Sequence, residues 1–257
     1  MGTAPSVAVV KLSALALLVS LTGFGVSWYR SRLPPVAAAT NALAKDPSQT
    51  ATNAKPFQVT KGGASYQIEP LFDYDVSGLV VTDHDSASFL DVTHALAKDF
   101  LNTKDICLVW GENASRGNLD RFTFTSGDFT CFFRTNDNDA YRTFRLDQIG
   151  NNHVLPADEE IERALRNVEI GDEIRMSGQL VRYNVDGGPF RTSSTTRTDT
   201  GNGACEVLYV TRIETLMRHN AKWVRLRTVF KFSALGSLAI LVAALFIAPF
   251  LKRSASL

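Results

Sequence analysis

The sequence has few of the side chains that most often hold metal ions. Its four histidines stand singly, and its three cysteines form no Cys-x-x-Cys pair. Structural zinc sites use such ligands in closely spaced pairs. The polar segments 83–85 (Asp-His-Asp) and 136–139 (Asn-Asp-Asn-Asp) lack the glycine and the final glutamate of a calcium loop. We therefore expect polar turns at both segments and no metal.

Short catalytic signatures are missing as well. The chain has no P-loop, no nucleotide-binding glycine motif and no Gly-x-Ser-x-Gly elbow, which are the local sequences that cradle phosphates or expose a nucleophilic serine. Its Asp-Thr-Gly triplet at 199–201 stands alone, whereas aspartic proteases need two such carboxylates. We expect no cofactor, and these absences favour a protein that is not an enzyme.

Acidic residues are almost absent from the two ends of the chain. Residues 66–217 contain 25 acidic and 14 basic residues, a net charge of −11, while the remaining 13 basic residues are accompanied only by Asp46. An acidic domain repels phosphate backbones. The charge distribution therefore argues against nucleic acid as a partner.

Two long stretches carry no charge, residues 12–28 and 232–251. The second has the roughly 20 residues that a helix needs to cross the hydrocarbon core of a bilayer. The first reaches that length over residues 7–29 if the Lys11 amine extends to the headgroups. We predict two transmembrane helices with the lipid bilayer as partner. For the first stretch, a cleaved signal peptide is the alternative.

Three regions lie between the two spans. Residues 33–63 are rich in Ala, Thr, Asn, Pro and Lys and predict a flexible linker. Residues 66–216 are long enough for one domain with its own core. Residues 217–231 are basic and predict a juxtamembrane helix that lies at the lipid interface, runs into the second span, or is simply solvated.

Strand signals dominate the central domain. Apolar, β-rich runs occupy 75–81 and 106–110, and the segments 122–125 and 129–133 flank a Ser-Gly-Asp turn that suits a hairpin. Three further strands are predicted at 174–180 with a bend at Gly178, at 191–198 and at 205–214.

Two helices interrupt these strands. One is predicted over residues 88–101, and the other follows Pro156, with Ile161, Leu165 and Val168 facing the core. A helix, a turn and then a strand with a central glycine are common in small barrels of the OB type. The sequence thus predicts a mainly β (α+β), β-barrel-like and OB-like domain with two helices, flanked by the two transmembrane helices.

The run 191–206 (RTSSTTRTDTGNGACE) is the densest cluster of special residues. In a functional interpretation, Gly201 and Gly203 let backbone N–H groups approach a ligand that Arg197 and Asp199 also contact. In a structural interpretation, which we favour, the run is a tight turn in which Asp199 bonds to the loop backbone and pairs with Arg197.

The three cysteines allow two further hypotheses. Cys205 with His153 and Asp199 would form a thiol triad if the fold brought them together, although a buried thiol on an apolar strand is the simpler interpretation. Cys107 and Cys131 lie on neighbouring strand candidates. They would form a disulfide in an exported domain or stay buried thiols otherwise.

Several blocks resemble a family of uncharacterised bacterial membrane-anchored proteins. They are 66–75, 109–111, 151–157 and above all 194–206, which has the pattern S-x-x-R-x-D-T-G-x-G-A-C-E. The resemblance covers residue 66 to about residue 214. It implies a bacterial origin and an envelope location in the inner membrane, without implying a reaction. Members usually present the domain beyond the membrane after an N-terminal export segment, and the second span departs from the simplest members.

The side of the membrane that the domain faces is contested. Basic residues are more numerous on the domain side of the spans, which by the positive-inside rule favours the cytoplasm. Long domains cross the membrane regardless of loop charge, however, and the N-terminal segment looks like an export signal. The sequence leaves the side open, with a preference for the extracytoplasmic face.

These observations support three functions. The first is a non-enzymatic binding or interaction module of the envelope, with another envelope protein as its partner. The second is a thiol-dependent hydrolase that uses Cys205, His153 and Asp199. The third is an OB-type binder of an oligosaccharide or an oligonucleotide, for which the negative charge disfavours the oligonucleotide.

Overall fold

The computed structural model describes residues 4–35, 39–86, 88, 96–127, 130–196, 198–199 and 204–254. The chain divides into two compact units, Met1–Arg32 with Asn220–Leu257 and Leu33–His219. Within the described residues, the α-helices are α1 (Ala4–Ser31), α2 (Gly111–Ser115), α3 (Asn138–Thr143), α4 (Glu159–Arg166) and α5 (Ala221–Ser254). The strands are β1 (Ser48–Ala51), β2 (Phe57–Lys61), β3 (Ala64–His84), β4 (Lys104–Val109), β5 (Thr123–Gly127), β6 (Thr130–Arg134), β7 (Ile149–Pro156), β8 (Asp172–Val185), β9 (Arg191–Thr192) and β10 (Glu206–Arg218).

The first unit is the pair of long helices α1 and α5. Val7–Ser31 and Ala221–Phe246 are long and apolar enough to cross a membrane, judged by length and composition. The two helices pack closely, because a Cβ atom at Gly23 would lie only 2.5 Å from the Phe230 ring. Ser20 and Ser233 share a 2.8 Å hydrogen bond between their hydroxyls. Both segments predicted to be apolar helices are therefore helical.

The second unit is an α+β domain built on one large mixed sheet. Antiparallel pairs join β3 to β4, β4 to β7, β10 to β8 and β8 back to β3, while β7 and β10 run parallel. Strands β1 and β2 pair with β3, and β9 pairs with β8. The predicted α+β character with dominant strands is confirmed, whereas the described part of the domain has three α-helices in place of the two predicted.

Strand β8 makes a close contact with β10 at Gly178. A Cβ atom there would lie 1.9 Å from the carbonyl oxygen of Tyr209, so only glycine fits. The register between the two strands shifts just beyond this contact, between Val210 and Arg212. The glycine singled out for a bend in β8 therefore allows a close approach beside an irregularity in the facing strand.

Helix α4 closes one side of the largest apolar cluster. Asp158 precedes the helix and its carboxylate accepts a 2.8 Å hydrogen bond from Ile161 N, so that it caps the first turn. Leu165 and Val168 are buried in the cluster, and Ile161 packs against it. The helix predicted after Pro156 and its core-facing residues are confirmed.

Strands β5 and β6 form the predicted hairpin as a separate two-stranded sheet. Ser126 and Gly127 belong to β5 and pair with Cys131 and Thr130, so the connection comes later than expected, at residues 128–129, outside the described residues. A disulfide joins Cys107 to Cys131. It connects β4 of the large sheet to this hairpin, rather than two neighbouring strands of one sheet.

The structure differs from expectation in residues 33–63. Instead of a flexible linker, this segment contributes the buried Leu43 and the strands β1 and β2. Its polar side chains also take part, since Trp110 Nε1 donates to Asp46 Oδ1 over 3.1 Å. The amino-acid composition did not predict these two strands, because they pair with the backbone of β3 and such pairing does not require large apolar side chains.

Three other predicted boundaries change. Residues 217–218 belong to β10, so α5 begins only at Ala221 and continues through the second span without interruption. The strand expected at 191–198 is reduced to Arg191–Thr192. Most of the helix predicted at 88–101 lies outside the described residues, and residues 97–100 are turn and coil.

Candidate functional site

A buried polar network lies where β4, β7 and β9 meet the segment before β4. His153 on β7 and Asp105 on β4 are directly opposed in the sheet. Their side chains approach to 2.6 Å between Nδ1 and Oδ1. Both residues are at most 2% exposed. We call Asp99, Asp105, His153, Tyr183 and Arg191 the ion network.

Arg191 links the two ends of the ion network. Its Nη2 donates to His153 Nε2 over 2.8 Å, and its Nη1 donates to Asp99 Oδ2 over 3.3 Å. Tyr183 OH also donates to Asp99 Oδ2 over 2.8 Å. Asp99 precedes β4 and Arg191 begins β9, so one arginine links the segment before β4 to strands β7 and β9 of the sheet.

The donors around His153 determine its tautomer. A guanidinium has no acceptor, so Nε2 of His153 must accept from Arg191. Nδ1 therefore carries the ring proton and donates to Asp105. The imidazole is neutral, and the ion network holds two carboxylates against one guanidinium.

Electrostatics of the network follow from this arrangement. Burial alone would raise the pKa of Asp105, but the hydrogen bonds from His153 and Asn102 and the charge of Arg191 hold that pKa below its ordinary value. Burial, reinforced by the charge of Asp99, raises the pKa of Tyr183 well above its ordinary value. Asp105 is thus a carboxylate and Tyr183 a neutral donor at physiological pH.

Two carboxylate oxygens of the ion network have no hydrogen-bond donor within the described residues. Asp99 Oδ1 and Asp105 Oδ2 are buried and accept no hydrogen bond from the described residues. Buried carboxylate oxygens normally have a donor. These atoms can therefore take donors from a water molecule or from a bound group.

Cys205 lies one residue before β10, beside the same sheet. Asn151 Nδ2 donates to its Sγ over 3.7 Å. Burial raises the pKa of the Cys205 thiol, and the nearby charges of Glu206 and Asp105 act in the same direction. The thiol is therefore mainly protonated, whereas a nucleophilic cysteine needs a lowered pKa.

The three residues of the hypothetical thiol triad have different polar partners. His153 bonds to Asp105 and Arg191, Cys205 accepts from Asn151, and the Asp199 carboxylate accepts from the Ser194 hydroxyl. The acid beside His153 is Asp105, which the sequence did not single out. The sequence feature that could have indicated Asp105 is its position directly before the apolar run 106–110.

The run 191–206 is held by its two serines. Ser193 Oγ accepts from Val207 N over 3.0 Å, and Ser194 Oγ accepts from Thr196 N over 3.2 Å. The bond within Ser194–Thr196 has the local side-chain-to-backbone character of a structural turn, whereas the bond to Val207 fastens the segment to β10. Arg197, Gly201 and Gly203, proposed as ligand contacts, lie outside the described residues.

The two oxygen-rich segments, 83–85 and 136–139, contribute to the strand β3 and to the start of helix α3. Asp83 and His84 belong to β3, so the polar turn expected at 83–85 is wrong there, and Asp83 pairs with Lys104. Asp137 caps α3 by accepting from the backbone N–H groups of Asp139 and Ala140. Across the described part of the chain, no group of three or more His, Cys, Asp or Glu side chains could hold a metal ion.

The chain was compared with known proteins at three levels. No protein-family model, no curated protein and no solved structure matches it.

Proposed function

We propose that the chain is a membrane-anchored, non-enzymatic binding module of the bacterial envelope whose domain docks another envelope protein. The helices α1 and α5 would anchor it in the inner membrane. The Cys107–Cys131 disulfide supports an extracytoplasmic domain, because disulfides persist in oxidising compartments and are rare in the cytosol.

The strand pairing supports a finer description of the domain as an OB-type barrel. Strands β3, β4, β7, β10 and β8 pair in this order and return to β3, and α4 lies between β7 and β8. OB modules bind ligands through the loops between their first two and their last two strands. The equivalent connections are residues 85–103 and 186–205, each of which includes residues outside the described part of the chain.

The observation that carries the proposal is the position of Arg191. It lies on β9, within the second connection, and bonds both to Asp99 of the first connection and to His153 of the sheet. Loops held in one arrangement before binding lose less conformational entropy on binding. The ion network would thus prepare a rigid recognition surface.

Exposed apolar side chains on these loops favour a protein as the partner. Leu96 is 81% exposed and Phe190 is 40% exposed. Apolar and aromatic side chains of this kind dominate the energetics of protein interfaces. The net charge of −11 on residues 66–217 disfavours an oligonucleotide as the ligand. A hydrolase is disfavoured because the Cys205 thiol is protonated and the His153 ring is already hydrogen-bonded to Arg191.

Site-specific photocrosslinking tests the proposal. A photoreactive phenylalanine analogue would replace Leu96 or Phe190 in the full chain in living cells, with Tyr141 on α3 as the exposed control position. We expect one discrete protein adduct from the two loop positions and none from position 141. Ester or peptide hydrolysis by the purified chain that Cys205→Ala abolishes would refute a non-enzymatic role.

A further inference from the structure

We propose that the domain-side end of the helix pair binds an anionic phospholipid. The binding surface is a basic collar formed by five side chains: Arg30, Arg32, Lys222, Arg225 and Arg227. This inference concerns the helix unit alone and does not depend on what the domain binds.

Charge is the first reason for the inference. Residues 1–32 and 220–257 contain nine basic residues and no acidic residue. The five positive charges of the collar therefore have no carboxylate in their own unit to neutralise them. Basic residues at the end of a transmembrane segment attract anionic headgroups.

Helix packing gathers these charges at one level. Asn220 Nδ2 donates to Ser31 O over 3.2 Å, so the end of α1 lies beside the start of α5. The Arg30 guanidinium lies 5.7 Å from the centre of the Trp223 ring, and Arg32 lies 5.5 Å from that of Trp28. Indole rings favour the headgroup level of a bilayer. The stacked guanidinium groups are therefore placed at the depth of the lipid phosphates.

Lys231 adds a charge from below the collar. It follows Arg227 by one helical turn, about 6 Å along the axis, and shares its face. Lys231 is exposed, so its amine must extend toward the headgroups to leave the hydrocarbon region. Arg227 Nη1 donates to Ser31 Oγ over 3.3 Å, which holds its guanidinium near the end of α1. Both side chains therefore add positive charge near the headgroup level.

The neighbouring surface identifies a lipid rather than a free phosphate as the occupant. Val229 and Phe232 follow Arg225 by about one and two turns on the same face of α5 and are 56% and 66% exposed. A soluble anion would leave this apolar surface uncovered. The acyl chains of a phospholipid would cover it while its headgroup contacts the collar.

Tryptophan quenching measures this preference directly. The full chain would be placed in phosphatidylcholine vesicles with equal small amounts of either bromine-labelled phosphatidylglycerol or bromine-labelled phosphatidylcholine. Trp28 and Trp223 report on the collar, while Trp110 is buried in the domain core. We expect stronger quenching by the phosphatidylglycerol, by about twofold, because the collar concentrates it locally.

Matched variants locate the site. Arg225→Gln with Arg227→Gln should abolish the preference, Arg225→Lys with Arg227→Lys should keep it, and Lys252→Gln with Arg253→Gln should keep it after the same loss of charge. Equal quenching by both lipids, or an equal loss in the 252/253 control, would overturn the proposal. Loss of the preference on adding inorganic phosphate at constant ionic strength would show a site for soluble anions and would also overturn it.

Discussion

His153 donates its Nδ1 proton to Asp105 over 2.6 Å from the directly opposed position of the neighbouring strand. The bond joins residues 48 apart in the chain at a site that is closed to solvent. A buried carboxylate is stable only while its donors are in place. The free energy of unfolding should therefore depend on each hydrogen bond of the ion network.

Removal of the imidazole should destabilise the domain strongly. His153→Ala leaves Asp105 and Arg191 without their shared partner, and we expect the free energy of unfolding to fall by about 3–5 kcal/mol. Urea unfolding of the full chain in detergent, followed by circular dichroism of the sheet, measures this value. Asp147→Asn, which breaks the exposed pair of Asp147 with Arg145, should leave the midpoint nearly unchanged.

A double variant separates the pair from its surroundings. His153→Leu with Asp105→Leu removes both polar partners, so it should cost less than the sum of the single changes. Additive costs would show that the two side chains are not energetically coupled.

Acid should weaken the domain through Asp105. The pKa of Asp105 is lower in the folded chain than the value of about 3.9 expected when it is unfolded. Its stabilising contribution is therefore complete above that value and is lost as the pH falls toward the lower, folded pKa. Below about pH 4, the free energy of unfolding should fall more steeply in the wild type than in Asp105→Asn, by at most about 1.4 kcal/mol per pH unit.

The exposed Asp120 provides the control for this pH effect. Asp120→Asn should retain the acid slope of the wild type in the same urea titrations. Parallel curves for the wild type and Asp105→Asn would contradict the ionised state assigned to Asp105.

Reduction should loosen the hairpin. The Cys107–Cys131 disulfide closes a loop with a sequence separation of 24, so reduction should lower the free energy of unfolding by about 3 kcal/mol. Cys107→Ala with Cys131→Ala should unfold at the same urea concentration with and without reductant. A denatured but unreduced wild-type chain should expose one reactive thiol, that of Cys205, and three reactive thiols would rule out the disulfide.

Gly178 should tolerate no side chain. Gly178→Ala brings a Cβ atom within 1.9 Å of the Tyr209 carbonyl oxygen, and we expect a loss of about 3 kcal/mol or more because backbone must move. Gly127→Ala is the matched strand variant, since its nearest neighbour is the end of the Phe132 ring at 3.2 Å. Thermal unfolding of both variants in detergent makes the comparison, and equal losses would contradict the assigned close approach of β8 and β10.

Local patterns in the sequence were enough for the elements that depend on near neighbours. The two apolar helices, the helix α4 after Pro156 and the β5–β6 hairpin all follow from periodicity or turn chemistry within about 20 residues. Cys107 and Cys131 were also singled out as a pair, although the sequence left free thiols as the alternative.

Only the tertiary structure decided which distant residues meet. The partner of His153 is Asp105 rather than Asp199, Arg191 on β9 bonds to Asp99 before β4, and residues 48–51 and 57–61 form strands against β3. Each result depends on strand register, and a shift of one residue turns every side chain to the other face of the sheet. Register is determined by burial and pairing over the whole sheet, so no segment of the sequence contains it by itself.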